Sequence, residues 1–291
     1  MNWQNIWRLG KSDYIKLVPI LVLAFYMAFI PHVNYRYPVH IDEWRHIAHN
    51  NALLQAADIN YPDPFSGQTI SGGEKEIALL EVGFHLPFAA FHLFSGISWN
   101  DIHRYFPSIM FMMTILSVYV LAQRKGFGWE AAFFTCLITT TVGILGPAFL
   151  VPVAIGLVFL PLSLFIVFNF RTVRSYLVLF IFTCFMMTMH APSAICMVIV
   201  LIPFILLGLR GDFRHSLGLA LAIAVPFLVT LPWTSSLMLS TAKLLFIPQL
   251  VPAYHDIPRV ISEYGHLPIL SGLLGIFALA IRGGKETTVW Y

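Results

Sequence analysis

Charge is what this sequence has least of. Lys, Arg, Asp and Glu together supply 11% of its 291 residues, against roughly 25% in an average soluble domain. Too few water-compatible side chains are present to cover a globule, which excludes a soluble enzyme. Neither sign dominates: 17 Lys+Arg against 14 Asp+Glu leave +3, too small a footprint for a nucleic-acid partner. Cysteine is equally scarce. Cys136, Cys184 and Cys196 all lie inside apolar runs, so they read as small hydrophobes and not as a disulfide framework or a metal cluster. A cleavable signal peptide is also missing. The first apolar run, Leu17 to Ile30, follows Arg8, Lys11 and Lys16 without a small-residue cleavage site, and reads as a retained anchor with a cytosolic N-terminus. No internal repeat is visible, which disfavours the inverted-repeat transporter folds.

What the sequence has in excess is apolar surface, with 58% of residues from AVILMFWYC and a mean hydropathy of +0.78. Runs of membrane-crossing length, roughly 17 to 25 residues, fall at 14–31, 103–122, 129–147, 150–170, 173–190, 192–209, 215–235 and 267–281. The fold expected is all-α: one polytopic transmembrane helical bundle, 1–291, of about eight spans. If the chain crosses at each, 11 of the 17 basic residues sit on short inner connections, from Arg8, Lys11 and Lys16 to Arg282 and Lys285, as the positive-inside rule requires. The opposite face receives 10 of the 14 acids and every histidine except His215. Both termini are then cytosolic, and any chemistry faces outward.

The first outer loop, 32–102, is the longest polar stretch, and long loops in compact proteins are usually functional. Residues 82–97 within it are apolar but carry two histidines and Pro87; counting them as a span would invert the charge bias of every later loop, so an interfacial or re-entrant helix is expected. A second outer segment, 236–266, contains His255, Asp256, Arg259, Glu263 and His266. The spans themselves hold no titratable group near the midplane, which disfavours a proton relay or an ion path.

The densest polar cluster runs from Tyr37 to His49. At 100° per residue Asp42, His46 and His49 lie within about 60° of one another, with Trp44, Ile47, Ala48 and Leu54 on the far side. This predicts an amphipathic helix on the membrane that presents one carboxylate and two imidazoles to a cavity at headgroup level. In the 82–97 segment Glu81, His85 and His92 would share a face if the helix were unbroken, but Pro87 disfavours helical geometry at Leu86 and places His85 before the helix. Trp99, Asp101, His103 and Arg104 follow at the mouth of the second span.

At these residues the sequence resembles the GT-C superfamily of polyprenyl-phosphate-dependent glycosyltransferases, in particular the protein O-mannosyltransferases and the lipid A aminoarabinose transferases. Asp42-Glu43 matches in type and position the Asp-Glu pair that opens their first outer loop. Glu81-Val-Gly-Phe-His85-Leu-Pro87 matches in part their His-Pro-Pro or Lys-Pro-Pro element, with one proline and no adjacent lysine. Arg104-Tyr-Phe-Pro107 and Tyr119-Val-Leu-Ala-Gln-Arg124-Lys125 are similar to the elements that open and close the following span. The likeness covers about residues 14–210, and the chain reads as a short or truncated member.

The resemblance implies transfer of a sugar from a polyprenyl-phosphate donor in the membrane to an acceptor hydroxyl or amine on the extracytoplasmic face. Asp42 is the expected general base, with Glu43 as its orienter. The departing phosphate is a stable anion, so one carboxylate suffices where glycosidases use two. Direct displacement by one base inverts the anomeric centre. Charge growing on the phosphate calls for cationic or hydrogen-bonding groups; the candidates are Arg104, His85, Lys75 and Arg259, with His46 and His49 lining the cavity. No cofactor is required, and a divalent metal is compatible with the reaction. No Asn-x-Ser/Thr sequon occurs, which fits a prokaryotic plasma membrane. Three other readings use the same residues: a non-catalytic lipid-binding subunit, a metal-dependent hydrolase built on Asp42, His46 and His49, and a solute transporter.

Overall fold

A computed structural model describes residues 11–65, 81–137, 148–209 and 211–246, together with isolated helical positions between 258 and 274. Among the described residues the regular structure is helical, with no strand: α1 (Lys11–Phe29) ending in a 3₁₀ turn (Ile30–His32), α2 (Ile41–Ala56), α3 (Val82–Ser95), α4 (Trp99–Gln123), α5 (Gly128–Cys136), α6 (Pro152–Asn169), α7 (Val173–Met189), α8 (Ala191–Gly208) and α9 (Phe213–Phe246). The chain divides into two compact units, Met1–Thr140 with Leu145–Thr241, and Thr141–Ile144 with Ala242–Tyr291. The described part of the candidate site falls within the first. In the second, Pro258, Ile261, Ser262, His266, Leu270, Leu273 and Leu274 are helical.

Among the described residues, four stretches are long and apolar enough to cross a membrane: Ile15–His32, Trp99–Gln123, Pro152–Asn169 and Phe213–Pro232. They coincide with four of the eight expected spans. α7 and α8 are apolar helices of shorter described length. α5 covers the start of the expected 129–147 span, whose remainder, like the span at 267–281, lies largely outside the described residues. The second outer segment was expected to begin at 236, yet α9 is helical to Phe246.

The helices bury one side and leave the other greasy. Leu17, Ile20, Ala24 and Ala28 of α1 pack on Phe111, Ile115 and Tyr119 of α4 and on Ala132 and Cys136 of α5. Cys136 behaves as the small hydrophobe expected, buried with its thiol on the carbonyl of Ile20 at 3.5 Å. A second core joins Leu179, Met186 and Met187 of α7, Met197 and Leu201 of α8, and Leu219 and Ile223 of α9. The outward side chains of these helices, such as Val18, Val22, Leu177, Ile181, Leu206, Leu221 and Leu228, are exposed, the surface that an acyl-chain environment covers.

Contacts at the helix ends sort the bundle into two poles. At one, Arg124 Nε donates to Asn169 Oδ1 at 2.7 Å, Arg171 pairs with Asp212 at 2.9 Å, and Lys16 lies over the Trp129 ring at 4.9 Å. The other pole holds the end of α1, all of α2, the starts of α3, α4 and α6, and the junction of α7 and α8.

That second pole is built from local signals. His40 accepts the N–H of Asp42 at 3.1 Å, while Glu43 accepts the N–H groups of Val39 and His40 at 2.9 and 3.1 Å, a reciprocal cap that starts α2. Ser98 caps α4 by accepting the N–H of Asp101. α3 begins at Val82 and passes through Pro87 unbroken, so His85 lies inside the helix and not before it. The lost bond of an internal proline is offset by Phe84 and Phe88, buried against Ile102, Leu150 and Met189. Gly83 lets α3 approach α7 closely: a Cβ there would stand 2.5 Å from Thr188 Oγ1 and 2.9 Å from Met189 N. Gly96, at φ 68°, ends α3 in the left-handed conformation glycine favours.

Candidate functional site

At the polar pole a pocket of about 200 Å3 is lined by Asp42, Arg45, His46 and His49 of α2, by Glu81, by Val151, Pro152 and Val153 at the start of α6, and by His190 between α7 and α8. Asp42, His46 and His49 thus share one face of α2, as their spacing predicts. The volume is below the roughly 300–1,000 Å3 of a drug-sized ligand site.

The adjacent carboxylates have different fates. The Asp42 side chain is 30% exposed, and its nearest charge-capable neighbour is His40 Nδ1 at 3.6 Å. Glu43 is fully buried and turned into the bundle. Besides capping α2 it accepts the N–H of Leu150 at 2.9 Å and faces His103 Nδ1 at 3.3 Å, tying α2 to α4 and to the segment entering α6. Burial works to raise its pKa, but hydrogen bonding by His103, the His103 charge and the N–H groups of Leu150 and His40 outweigh it and hold the carboxyl below its ordinary range. It is an anionic anchor, with no face on the pocket.

Three histidines at and behind the pocket, His46, His49 and His85, are held toward the neutral form by burial. His85 is buried behind the pocket, donating from Nδ1 to Asn50 Oδ1 at 3.0 Å, and its ring centroid lies 5.2 Å from that of His46 and 5.5 Å from that of His49. His49 is hydrogen-bonded through Nδ1 to the Tyr61 hydroxyl at 3.2 Å. Burial lowers His49 to about 4, with Asp63 opposing and Arg45 assisting, and lowers His85 to about 3, with His49 assisting. His46 falls well below the ordinary range, again by burial first and then by repulsion from the His85, His103 and His49 rings and Arg45 should it gain a proton. His46 Nδ1, His49 Nε2 and His85 Nε2 are buried without a hydrogen bond among the described residues, so the pole holds imidazole nitrogens able to serve a ligand.

These shifts set an acid limit on the fold. An unfolded imidazole binds its proton below about 6.5, whereas folded His49 does so only near 4 and His85 only near 3. As pH falls from about 6.5 toward 4 the unfolded chain takes up protons that the folded chain refuses, so stability declines through that window. The thermal midpoint of the purified protein is expected to drop there, and to drop less in His85→Gln. A midpoint independent of pH would mean that the folded and unfolded rings take up their protons alike, and that burial does not hold His49 and His85 neutral.

The other expected ligands lie elsewhere. Arg104 stacks its guanidinium over Phe29 and Tyr105 at 5.6 and 5.5 Å, fastening α4 to the end of α1, and does not line the pocket. Lys75 and Arg259 lie outside the described residues. His92 stacks on Trp99 with ring centroids 4.3 Å apart, away from Glu81. Arg45, Glu81 and His190 enter the pocket without having been singled out for it. Arg45 is three residues from Asp42 and so shares its side of α2; Glu81 and His190 meet only through the packing of α3 on α7. No three His, Cys, Asp or Glu side chains among the described residues converge as metal ligands.

A second hollow, about 470 Å3, lies between α8 and α9 and is lined by apolar side chains only, including Val198, Ile202, Ile205, Ile223 and Phe227. No protein-family model matches the chain, and no curated protein matches it.

Proposed function

We propose that this chain is a membrane glycosyltransferase of GT-C type, moving a sugar from a polyprenyl-phosphate donor to an acceptor hydroxyl or amine, with inversion, at the pole that bears the pocket. The observation that carries the reading is Asp42: a partly exposed carboxylate 3.6 Å from His40, in a small polar pocket beside Arg45 and the imidazoles of His46 and His49, at one end of an apolar helical bundle. A water-soluble sugar linked to a hydrocarbon tail can react only where a polar hollow adjoins such a surface. The segregation of basic residues to one pole supports eight crossings, cytosolic termini and an extracytoplasmic active face in a plasma membrane.

In this reading Asp42 takes the proton of the acceptor as its oxygen attacks C1. Arg45 and the imidazole N–H groups of His46 and His49 face the charge that grows on the departing phosphate. Arg104 and Glu43 act at a distance, by fixing α4 and α2. The apolar groove between α8 and α9 favours a second reading, a lipid-binding subunit without chemistry.

Purified protein incubated with a panel of radiolabelled polyprenyl-phosphate sugars and lipid or peptide acceptors tests the proposal. Transfer of label from at least one donor is the result expected. Copurified polyprenyl phosphate with no turnover of any donor would favour the lipid-binding reading.

A further inference from the structure

The pocket holds a second carboxyl. Glu81 precedes the first turn of α3 and is 11% exposed, more enclosed than Asp42, which lines the same pocket. It does not cap α3. Its nearest charge-capable neighbour is His190, whose Nε2 stands 3.9 Å from Oε1, beyond hydrogen-bond distance. His190 Nδ1 accepts the N–H of Ser193 at 3.2 Å, so the neutral ring carries its proton on Nε2, the atom turned toward Glu81. The contrast with Glu43 is chemical. One buried carboxyl is met by three backbone N–H groups and an imidazole, and is stable as an anion; the other meets none of these among the described residues, and burying it as an anion is costly.

We propose that Glu81 is the proton donor of the transfer, a carboxylic acid sharing the pocket with the carboxylate of Asp42 and protonating the phosphate oxygen as it leaves the sugar. This rests on the assignment of the pocket to sugar transfer. The acceptor O–H bond breaks as the new C1–O bond forms, and its proton goes to Asp42. The C1–O bond to phosphate breaks with its electron pair on the phosphate oxygen, which takes the proton of Glu81. One proton has entered at Asp42 and one has left from Glu81. A proton passing between them through water restores both groups for the next turnover. A phosphate can leave unaided, but a dianion forming in an enclosed site is poorly solvated, and the proton relieves it.

The charged and titratable groups that line the pocket with Glu81 are Asp42, Arg45, His46 and His49 from α2 and His190 from the junction of α7 and α8. Burial first, and then the charge of Asp42, push the Glu81 carboxyl up to about 8 against the opposing pull of Arg45. Two carboxyls in one site driven apart in acidity divide naturally into base and acid.

The test uses the purified full chain and the polyprenyl-phosphate sugar that the wild type turns over. Glu81→Gln is expected to lower kcat by about 10²-fold or more, to leave the donor KM nearly unchanged, and to abolish the loss of activity that the wild type shows as pH rises through about 8. Infrared difference spectra, recorded without substrate, should show a protonated-carboxyl band at neutral pH that is absent from Glu81→Gln. Absence of the band in the wild type, or a Gln variant with wild-type rate and pH profile, overturns the inference. If Glu81→Gln is unimpaired while Asp42→Asn is inactive, only the role of Glu81 falls. If the wild type transfers no sugar at any pH, the assignment of the pocket falls, and the role of Glu81 with it.

Discussion

Asn in place of Asp42 is expected to lower the rate of sugar transfer by about 10²- to 10⁴-fold, the range that a positioned general base supplies, with expression and membrane insertion intact. The substitution keeps the shape of the side chain and removes its ability to take a proton. Little of the fold depends on that carboxyl: it is partly exposed and approaches only His40, at 3.6 Å. What the fold loses is the favourable charge in the first turn of α2, worth about 0.3–1 kcal/mol, so the thermal midpoint should shift slightly. Measured together, kcat, donor affinity and thermal midpoint separate a lost base from a damaged structure. A variant that turns over normally would remove Asp42 from the mechanism.

The residue next to it is expected to behave in the opposite way. Glu43→Ala leaves the N–H groups of Leu150, Val39 and His40 and the ring of His103 without their acceptor in a site closed to water. Removing one partner of such a buried ionic arrangement costs about 3–5 kcal/mol, a large fraction of the roughly 5–15 kcal/mol that holds a domain together. The variant should express poorly and unfold at markedly lower temperature. Glu43→Gln keeps one acceptor oxygen and should fall between the two. Thermal unfolding in detergent reads both; wild-type stability in Glu43→Ala would show that the three helices are fastened by other contacts.

These two neighbours show what the sequence could and could not reveal. The periodicity of α2 was legible, because a 100° step puts Asp42, His46 and His49 on one face whatever the rest of the chain does. The same step rotates Glu43 inward, and a glutamate at the third helical position is a capping signal. Its other partners were out of reach: His103 and Leu150 are 60 and 107 residues away, and nothing local announces them. Glu81 and His190 are hidden for the same reason, since they meet through the close approach of α3 to α7 that Gly83 permits. The start of α3 was misread from Pro87 because local propensity disfavours a helix there, and tertiary packing of Phe84 and Phe88 overrides it. Arg104 reads as a phosphate ligand by position; the structure places its guanidinium over the ring of Phe29 in α1 and of its own neighbour Tyr105 in α4.

The claim on which the rest depends is that Asp42 lines an outward-facing pocket that receives a lipid phosphate. Its most direct measurement is thiol labelling of Asp42→Cys in a background where Cys136, Cys184 and Cys196 are replaced. A membrane-impermeant maleimide added to intact cells should label the new thiol, and polyprenyl phosphate added to the purified protein should slow the labelling. Labelling that requires the membrane to be opened, or a rate indifferent to the lipid, would contradict the account.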